Sequence, residues 1–254
     1  MAITIKSERE IELMAEAGKI LERVHNELEN ALRPGMSTKD IDTLGEEIIR
    51  SYGCIPSFLN YNGYPASICV SVNQEVVHGI PDKHRIIQEG DIVSLDAGVI
   101  YKGYHSDAAR THAVGEVSEE AKKLIQVTKE SFFEGIKFAK AGNHLFDISG
   151  AIGRYAEERG YGVVRDLCGH GIGTALHEAP EIPNYEVVRK GVRLRPGMTL
   201  AIEPMINIGT HEVDWLDDDW TVVTRDGSLS AHYENTILIT EGEPRILSLT
   251  CENE

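Results

Sequence analysis

The chain opens with two segments in which apolar residues recur at helical spacing. In "SEREIELMAEAGKILERVHNELENAL", Ser7 precedes the periodic run and Glu10 follows three residues later, which is the pattern of a capping box. In "RPGMSTKDIDTLGEEIIRSYG", a Pro-Gly break is followed by a second start signal near Ser37 and Thr38. The pattern therefore predicts two helices before Tyr52.

After Tyr52 the sequence becomes aromatic, glycine-rich and β-branched, which is typical of strands. "ASICVSVNQEVVHGIP" predicts a strand and a loop, and "GDIVSLDAGVIYKGYHSDAARTHAVG" predicts a hairpin. Two more helices follow, in "SEEAKKLIQVTKESFFEGIKFA" and "NHLFDISGAIGRYAEERG". A strand is then predicted in "RLRPGMTLAIEPMINIG", and a pair of strands joined by an Asp-Gly turn in "WTVVTRDGSLSAHYENTILIT".

The order of two helices and then strands thus occurs twice, with a boundary near residue 118. We find no low-complexity linker between the two parts, so they are expected to share one core. We predict a single α+β domain over 1–254, with similar halves at about 1–118 and 119–254.

Composition narrows the class of protein. The 254 residues are 41% hydrophobic and 26% charged, as in ordinary soluble proteins. No apolar run approaches the ~20 residues that span a bilayer, and "MAITIKSERE" lacks a secretory signal. We therefore expect a cytoplasmic protein that does not bind membranes. The four cysteines have no CxxC or framework spacing and are expected to be free thiols.

The net charge of −16 argues against direct nucleic-acid binding. It is compatible either with simple solubility or with acidic residues that are held together by bound cations.

The predicted hairpin contains two aspartates, Asp96 and Asp107, on either side of Tyr101 and Lys102. Residues equally distant from a hairpin turn are opposite each other, with Cβ atoms ~5 Å apart. Two like charges at that distance repel unless one binds a proton or a cation lies between them. A dinuclear metal site resolves this conflict. The alternative is that both acids flank a surface turn, and the apolar "IVSL" before Asp96 leaves the two interpretations evenly matched.

The second half supplies further candidate ligands. His170 lies in the glycine-rich "LCGHGIGTALHEAP", and His177 follows seven residues later. An isolated histidine is more often a core or surface residue than a ligand. Glu203 in "TLAIEPM" and Glu234 in "AHYENTILIT", however, each place a carboxylate within an apolar strand, as Asp96 does. The four acids, one pair per half, would repel one another without metals and would balance two divalent ions.

This set of residues resembles the methionine aminopeptidase family, and more closely its bacterial type I form. The resemblance covers Ile5 to Thr240 and includes "NGYPASICVSVN", "HGIP", "CGHGIG", "RPGM" and "DGSLSAHYE". It implies the pita-bread (creatinase/aminopeptidase-like) fold, in which two pseudo-symmetric α/β halves surround a dinuclear metal centre. It also implies removal of the initiator methionine from nascent proteins and peptides, with a preference for a small second residue.

The resemblance implies a role for each of the five ligands. Asp96 and Asp107 would hold one metal ion; Asp107 and Glu234 would bridge to a second ion, which His170 and Glu203 complete. A hydroxide that bridges the two ions would be the nucleophile, because coordination brings bound water to a pKa of roughly 7.

The remaining roles also come from the resemblance. Glu203 would accept a proton from the water and pass it to the leaving amine. His177 would donate to the carbonyl oxygen as the oxyanion forms, and His78 would contact the scissile amide. The methionine pocket is expected to comprise Tyr61, Tyr64, Cys69, Leu176 and Trp220. Many relatives have an aromatic residue at the position that Leu176 occupies in this sequence, so a less tightly packed pocket is expected here.

Some questions stay open at this stage. The metals are expected to be Co, Mn, Fe or Zn, since mixed carboxylate and imidazole ligands accept each of them. A monovalent cation near Asn73 and Ser230, and transient contact with the ribosome, are left open; a monomer is expected.

Related enzymes that cleave before proline usually have a large N-terminal domain, for which this sequence has no room. A binding module without activity is disfavoured, because all five ligands are present.

Overall fold

The computed structural model describes residues 3–249. Its first half contains two long helices and a hairpin. The elements in chain order are α1 (Glu8–Ala31), α2 (Thr38–Ser51), β1 (Ile55–Pro56), a 3-10 turn (Tyr61–Gly63), β2 (Ile68–Val72), β3 (Glu75–Val77), β4 (Ile92–Tyr101) and β5 (Tyr104–Ala113).

The second half repeats the order of two helices followed by strands. Its elements are α3 (Glu119–Ile136), α4 (Leu145–Glu157), β6 (Gly162–Val163), β7 (Gly169–Gly171), β8 (Glu178–Ile182), β9 (Thr199–Ile202), β10 (Met205–Asn207), β11 (Val213–Trp215), β12 (Val222–Thr224), β13 (Ser230–His232), β14 (Asn235–Leu238) and β15 (Arg245–Ile246).

Both helix starts predicted from the sequence are present in the structure as capping boxes. The Ser7 side chain accepts from the Glu10 backbone N–H, and Glu10 Oε2 accepts from the Ser7 backbone N–H at 2.8 Å. Ser37 and Asp40 form the same reciprocal pair at the start of α2. Each capping box satisfies N–H groups that have no partner inside the helix. Both predicted helix starts are therefore confirmed.

Each half has its own apolar core. In the first, α1 and α2 cover one face of a sheet built from β1, β2, β4 and β5, and residues such as Leu21, Ile49 and Leu95 are fully buried there. In the second, α3 and α4 cover the five-stranded sheet β15-β14-β9-β7-β8, with Phe132 and Leu200 at its centre. A third apolar cluster contains residues of both halves.

Hydrogen bonds join the two halves through β5 and the start of β14. Ala109 and Glu234 exchange backbone hydrogen bonds, at 3.3 Å and 3.0 Å. The Thr236 hydroxyl accepts from the Asp107 N–H and donates to the Asp107 carbonyl, both at 2.9 Å. The segments that bear Asp107 and Glu234 are thereby tied together across the molecule.

Two strand predictions need correction. The segment predicted as one strand, "RLRPGMTLAIEPMINIG", forms two short strands, β9 and β10, separated by Glu203 and Pro204. The Asp226-Gly227 turn is present, with Gly227 at a φ of 72° that glycine adopts without strain. The strands it joins belong to different sheets, since β12 pairs with β11 and β3 while β13 pairs with β10.

Within residues 3–249, no helix combines the length and apolar character needed to cross a membrane. In the same range Cys54, Cys69 and Cys168 are free thiols, as predicted. Cys251 lies outside the described residues.

Candidate active site

The candidate site is organised by one row of residues that runs across the strands. Cys69 on β2 pairs with Asp96 on β4, and Asp96 pairs with Ala109 on β5. Ala109 in turn exchanges backbone hydrogen bonds with Glu234 from the other half. Side chains of directly paired residues project from the same face of a sheet. The row therefore brings a thiol and two carboxylates to one surface.

The hairpin register corrects one step of the sequence argument. Asp96 and Asp107 are not directly opposite, because the turn is centred on Lys102 and Gly103 and not on Tyr101 and Lys102. Asp96 pairs with Ala109, and Asp107 pairs with Gly98. The two aspartates are diagonal neighbours, still on one face because their offset is two residues. The conflict between two like charges therefore persists.

Glu203 and Glu234 lie where the second-half strands are interrupted. The sequence predicted that Glu203 and Glu234 lie within strands. In the structure Glu203 directly follows β9 and Glu234 directly precedes β14, so both lie just outside a strand. The pairs Ile202–Asn235 and Met205–His232 on either side of the break have the same register. Glu203 and Glu234 are therefore opposite each other in the gap between the two pairs of strands.

The two histidines occupy different positions. His170 lies in β7, buried, and pairs with Ala201, two residues before Glu203. Its Nε2 atom is 3.7 Å from Glu203 Oε1 and 3.9 Å from Asp107 Oδ2. His177 is exposed immediately before β8, with its ring centroid 4.2 Å from that of His170. Its Nδ1 hydrogen-bonds with the Tyr61 hydroxyl at 3.1 Å.

Burial makes the four carboxylates difficult to ionise together. Desolvation raises the pKa of Asp96 to about 7. For Asp107, Glu203 and Glu234 desolvation, followed by repulsion from neighbouring acids, raises the pKa well above the usual value. Desolvation also lowers the pKa of His170 to about 3, so its ring is neutral at pH 7. Neutral imidazole and crowded carboxylates form a donor set that a cation would stabilise.

The positions of these side chains also suit the binding of a divalent metal ion. One ligand atom from each of Asp107, His170 and Glu234 lies within 4.8 Å of the others. Oxygen atoms of Asp96, Asp107 and Glu234 are buried without any hydrogen-bond partner. Such atoms are costly unless something binds them, and their convergence provides the ligand set of a metal centre.

A pocket opens beside the acids and collects every residue of the predicted site. Its wall contains the five predicted ligands, the two predicted catalytic histidines His78 and His177, and the predicted methionine pocket of Tyr61, Tyr64, Cys69, Leu176 and Trp220. The Trp220 ring contacts Tyr64 edge-on, with centroids 5.1 Å apart, and His78 at 6.2 Å. Desolvation lowers the pKa of His78 to about 4, so it too is neutral at pH 7.

Sequence reasoning missed several residues around this pocket. Phe58 and Asn62 line it, Thr236 holds the Asp107 backbone, and His232 lies 3.7 Å from Glu203. Phe58 and Asn62 gave no signal beyond aromatic or turn character. His232, however, is two residues before Glu234, and the alternation along a strand could have placed both on one face.

Comparison with known proteins settles the family. The sequence model of metallopeptidase family M24 matches residues 12–241. The chain belongs to this family. The methionine aminopeptidase of Clostridium acetobutylicum is 58% identical over 250 residues, which cover 98% of this chain and 100% of that protein. The one from Bacillus subtilis, named methionine aminopeptidase 1, is 51% identical over 94% of this chain and 96% of its own.

Comparison with solved structures supports the same family. The crystal structure of methionine aminopeptidase from Thermotoga maritima matches with a TM-score of 0.96 and 47% identity, covering 98% of this chain and 100% of that one. An Xaa-Pro dipeptidase from Bacillus anthracis matches with a TM-score of 0.77 and 28% identity, covering 97% of this chain but 62% of that one.

The family resemblance and the α+β pita-bread fold expected from the sequence are thereby confirmed. As an M24 metallopeptidase, the chain is a hydrolase of peptide bonds that uses divalent metal ions.

Proposed function

We propose that this M24 enzyme removes the N-terminal methionine from peptides and nascent proteins at the site described above. Asp96, Asp107, His170, Glu203 and Glu234 hold two divalent ions, Co, Mn, Fe or Zn. The observation that carries this is the convergence of orphaned carboxylate oxygens and a neutral imidazole, Asp107 and Glu234 with His170, at a distance suited to one ion. When bound, the metals supply Lewis acidity and lower the pKa of water.

The protein's own groups would then direct the proton transfers. Glu203 is half-buried, and desolvation, followed by repulsion from Asp96, raises its pKa well above the usual value. Its carboxylate is therefore a stronger base, which can accept a proton and pass it to the leaving amine. His177 donates to the carbonyl oxygen of the scissile bond. If the Tyr61 hydroxyl donates to His177 Nδ1, the proton of the neutral ring lies on Nε2, where it can serve that role. His78 contacts the scissile amide.

The methionine side chain would enter between Tyr61, Tyr64, Cys69, Leu176 and Trp220. Tyr64, Cys69 and Leu176 are buried, and the tryptophan ring is partly exposed against Tyr64. A thioether packs favourably against sulfur and ring edges. Cys69 on β2 pairs with Asp96 on β4, so a side chain held against Cys69 lies directly beside the proposed metal ligands.

Asn73 and Ser230 are proposed to hold a monovalent cation. The Ser230 N–H donates to the Asn73 carbonyl at 2.9 Å, and Ser230 pairs with Asn207, whose side-chain oxygen is buried without a partner. We further propose that 1–254 acts as one catalytic domain of two halves, about 1–118 and 119–254, and as a monomer, with transient ribosome contact.

A proline-directed peptidase is the second candidate, because the Bacillus anthracis Xaa-Pro dipeptidase shares this fold. The comparison favours methionine removal. Identity to the Clostridium acetobutylicum methionine aminopeptidase is 58%, with both chains matched almost end to end. The dipeptidase is matched over 62% of its length at 28% identity.

Cleavage of a panel of short peptides by the metal-loaded enzyme tests this function. Met-Ala and Met-Gly peptides should be cleaved well. Met-Lys and Met-Leu should be slow, because a bulky second residue shifts the carbonyl, and a misplacement of about 1 Å can cost ~10²-fold. Leu-Ala should also be slow. N-formyl-Met-Ala should resist cleavage, because its blocked amine cannot reach a metal. Rapid cleavage of Ala-Pro peptides with Met-Ala left intact would overturn the proposal.

A further inference from the structure

Glu203 is the one carboxylate in the described part of the site whose two oxygens each approach a different imidazole. Oε1 lies 3.7 Å from His170 Nε2, and Oε2 lies 3.7 Å from His232 Nε2. The backbone of Glu203 is fixed separately, since the buried Asn184 side chain donates to its carbonyl oxygen at 3.0 Å. The freedom left to this residue is therefore in its side chain.

His232 is buried, with 2% of its surface exposed, and both of its ring nitrogens lack a hydrogen-bond partner. Buried polar atoms are normally paired, so an orphaned ring indicates an interaction that a small movement completes. The distance to Glu203 Oε2 exceeds an ordinary N–H···O bond by roughly 0.5–1 Å. Within residues 3–249, Glu203 is the one carboxylate within 4.0 Å of this ring.

The backbone of His232 is anchored from the other half of the molecule. Its N–H donates to the Thr111 hydroxyl, which donates back to the His232 carbonyl, both at 2.9 Å. Thr111 is further tied to Ser94 at 2.8 Å. His232 also pairs with Met205, two residues after Glu203, so the ring and the carboxylate start from adjoining positions.

The ring has a second environment on its other side. A separate cavity is lined by His232, His25, Arg110 and Tyr233, among others, and it does not include the metal-ligand candidates. A neutral imidazole donates from one nitrogen and accepts at the other. Water in this polar cavity can donate to one nitrogen of His232 and leave the proton on the nitrogen that faces Glu203.

We propose that His232 is a positioning residue that donates from Nε2 to Glu203 Oε2. The bond fixes the Glu203 rotamer, with Oε1 directed toward His170 and the metal centre. Groups that orient metal-ligating carboxylates typically change metal affinity or activity 10–100-fold when they are removed. The inference rests on the proposed function, in which Glu203 is a metal ligand and handles the proton.

Two substitutions at position 232 and one control test the role. His232→Leu removes the donor, whereas His232→Gln keeps an N–H donor on a side chain of similar reach. His25→Leu is the matched control, because His25 is also a buried histidine with an unpartnered ring nitrogen on the same second cavity, but Glu203 is not within its reach. The measurements are metal affinity by equilibrium dialysis, kcat and KM on Met-Ala, and thermal unfolding.

His232→Leu should weaken metal binding and lower kcat by about 10–100-fold, with little change in KM. His232→Gln should restore both toward the native values. His25→Leu should lower the unfolding temperature yet retain metal affinity and kcat. If the Leu and Gln variants lost function equally, or if His25→Leu lost as much, the effect would be general packing and the proposal would be wrong.

Glu203→Gln separates this proposal from the proposed function. If Glu203→Gln loses metal and activity while His232→Leu behaves as the native enzyme, the positioning role is overturned and the function stands. If Glu203→Gln keeps full metal content and turnover, the proposed function fails together with the role assigned to His232.

Discussion

At the scale of single residues, the two neighbouring histidines of the site have different surroundings. His170 is buried among carboxylates, and desolvation, followed by the nearby His177, lowers its pKa to about 3. His177 is exposed at the rim, and desolvation lowers its pKa below the usual value, so its ring is neutral at pH 7. A neutral imidazole still has one N–H group that can donate to substrate. A buried neutral imidazole suits a metal, while an exposed one beside Tyr61 suits a substrate.

His177→Ala should therefore keep its metal content and lose on the order of 10²–10³ in kcat, the usual result of removing one oxyanion donor. His170→Ala should lose metal affinity. Metal analysis after gel filtration, together with turnover of Met-Ala, checks both. Equal behaviour of the two variants would show that the division between ligand and donor is wrong.

At the scale of elements, the site depends on strand register more than on any one strand. Sequence patterns predicted both helix pairs, the β4–β5 hairpin and the acids on it. They placed the centre of the turn one residue too early, because Lys102 as well as Gly103 adopts a positive φ, 49° and 87°, and only glycine does so freely. The pairing of Ala109 with Glu234 is between distant parts of the chain, and no local pattern encodes it.

The division of β9 from β10 was also beyond the sequence pattern. "TLAIEPMINIG" forms one nearly continuous apolar run, which predicted one strand, although a proline inside such a run is typical of an interruption. At the break Glu203 and Glu234 lie between the paired strands, and their side chains line the same pocket as the two aspartates. By contrast, the four carboxylate candidates could be recognised from the sequence, since an acid among apolar residues is rarely buried without a partner. His170 was recognised from its glycine-rich segment and from the family resemblance.

Thr236→Val tests the link between the two halves. The substitution removes the hydroxyl that pairs with the Asp107 N–H and carbonyl, leaving two buried backbone groups unsatisfied at a cost of about 1–3 kcal/mol each. Chemical denaturation should show this loss, and metal affinity should fall with it. Thr240→Val, at a surface turn where the hydroxyl contacts Glu243, is the control. A variant as stable as the control would show that Thr236 does not join the halves.

At the scale of the whole molecule, the net charge of −16 includes four acids that the fold gathers around one pocket. Their repulsion and desolvation oppose folding when no cation is bound. Metal binding should therefore raise the unfolding temperature, and it should release protons at neutral pH, since ligands must be deprotonated.

The metal-free enzyme should lose stability as pH rises from about 4 to about 7. The pKa of Asp96 is raised in the folded state, from 3.8 to about 7, chiefly by desolvation. Below pH 4 both states hold the proton, but above it the unfolded chain ionises first and is favoured. In metal-free Asp96→Asn this contribution is absent, so its stability relative to the native chain should increase over that window. If the unfolding temperatures of the metal-free native chain and of metal-free Asp96→Asn changed in parallel with pH, the raised pKa of Asp96 would be contradicted.

The most direct test of the central claim is a metal titration of the stripped enzyme, with release of free methionine from Met-Ala as the readout. The account predicts no release without metal, full activity once divalent ions fill the site, and loss of both metal and activity in Asp107→Asn, because Asp107 is proposed to be shared by two ions. Methionine release by the metal-free enzyme, or full metal occupancy with near-native turnover in Asp107→Asn, would contradict it.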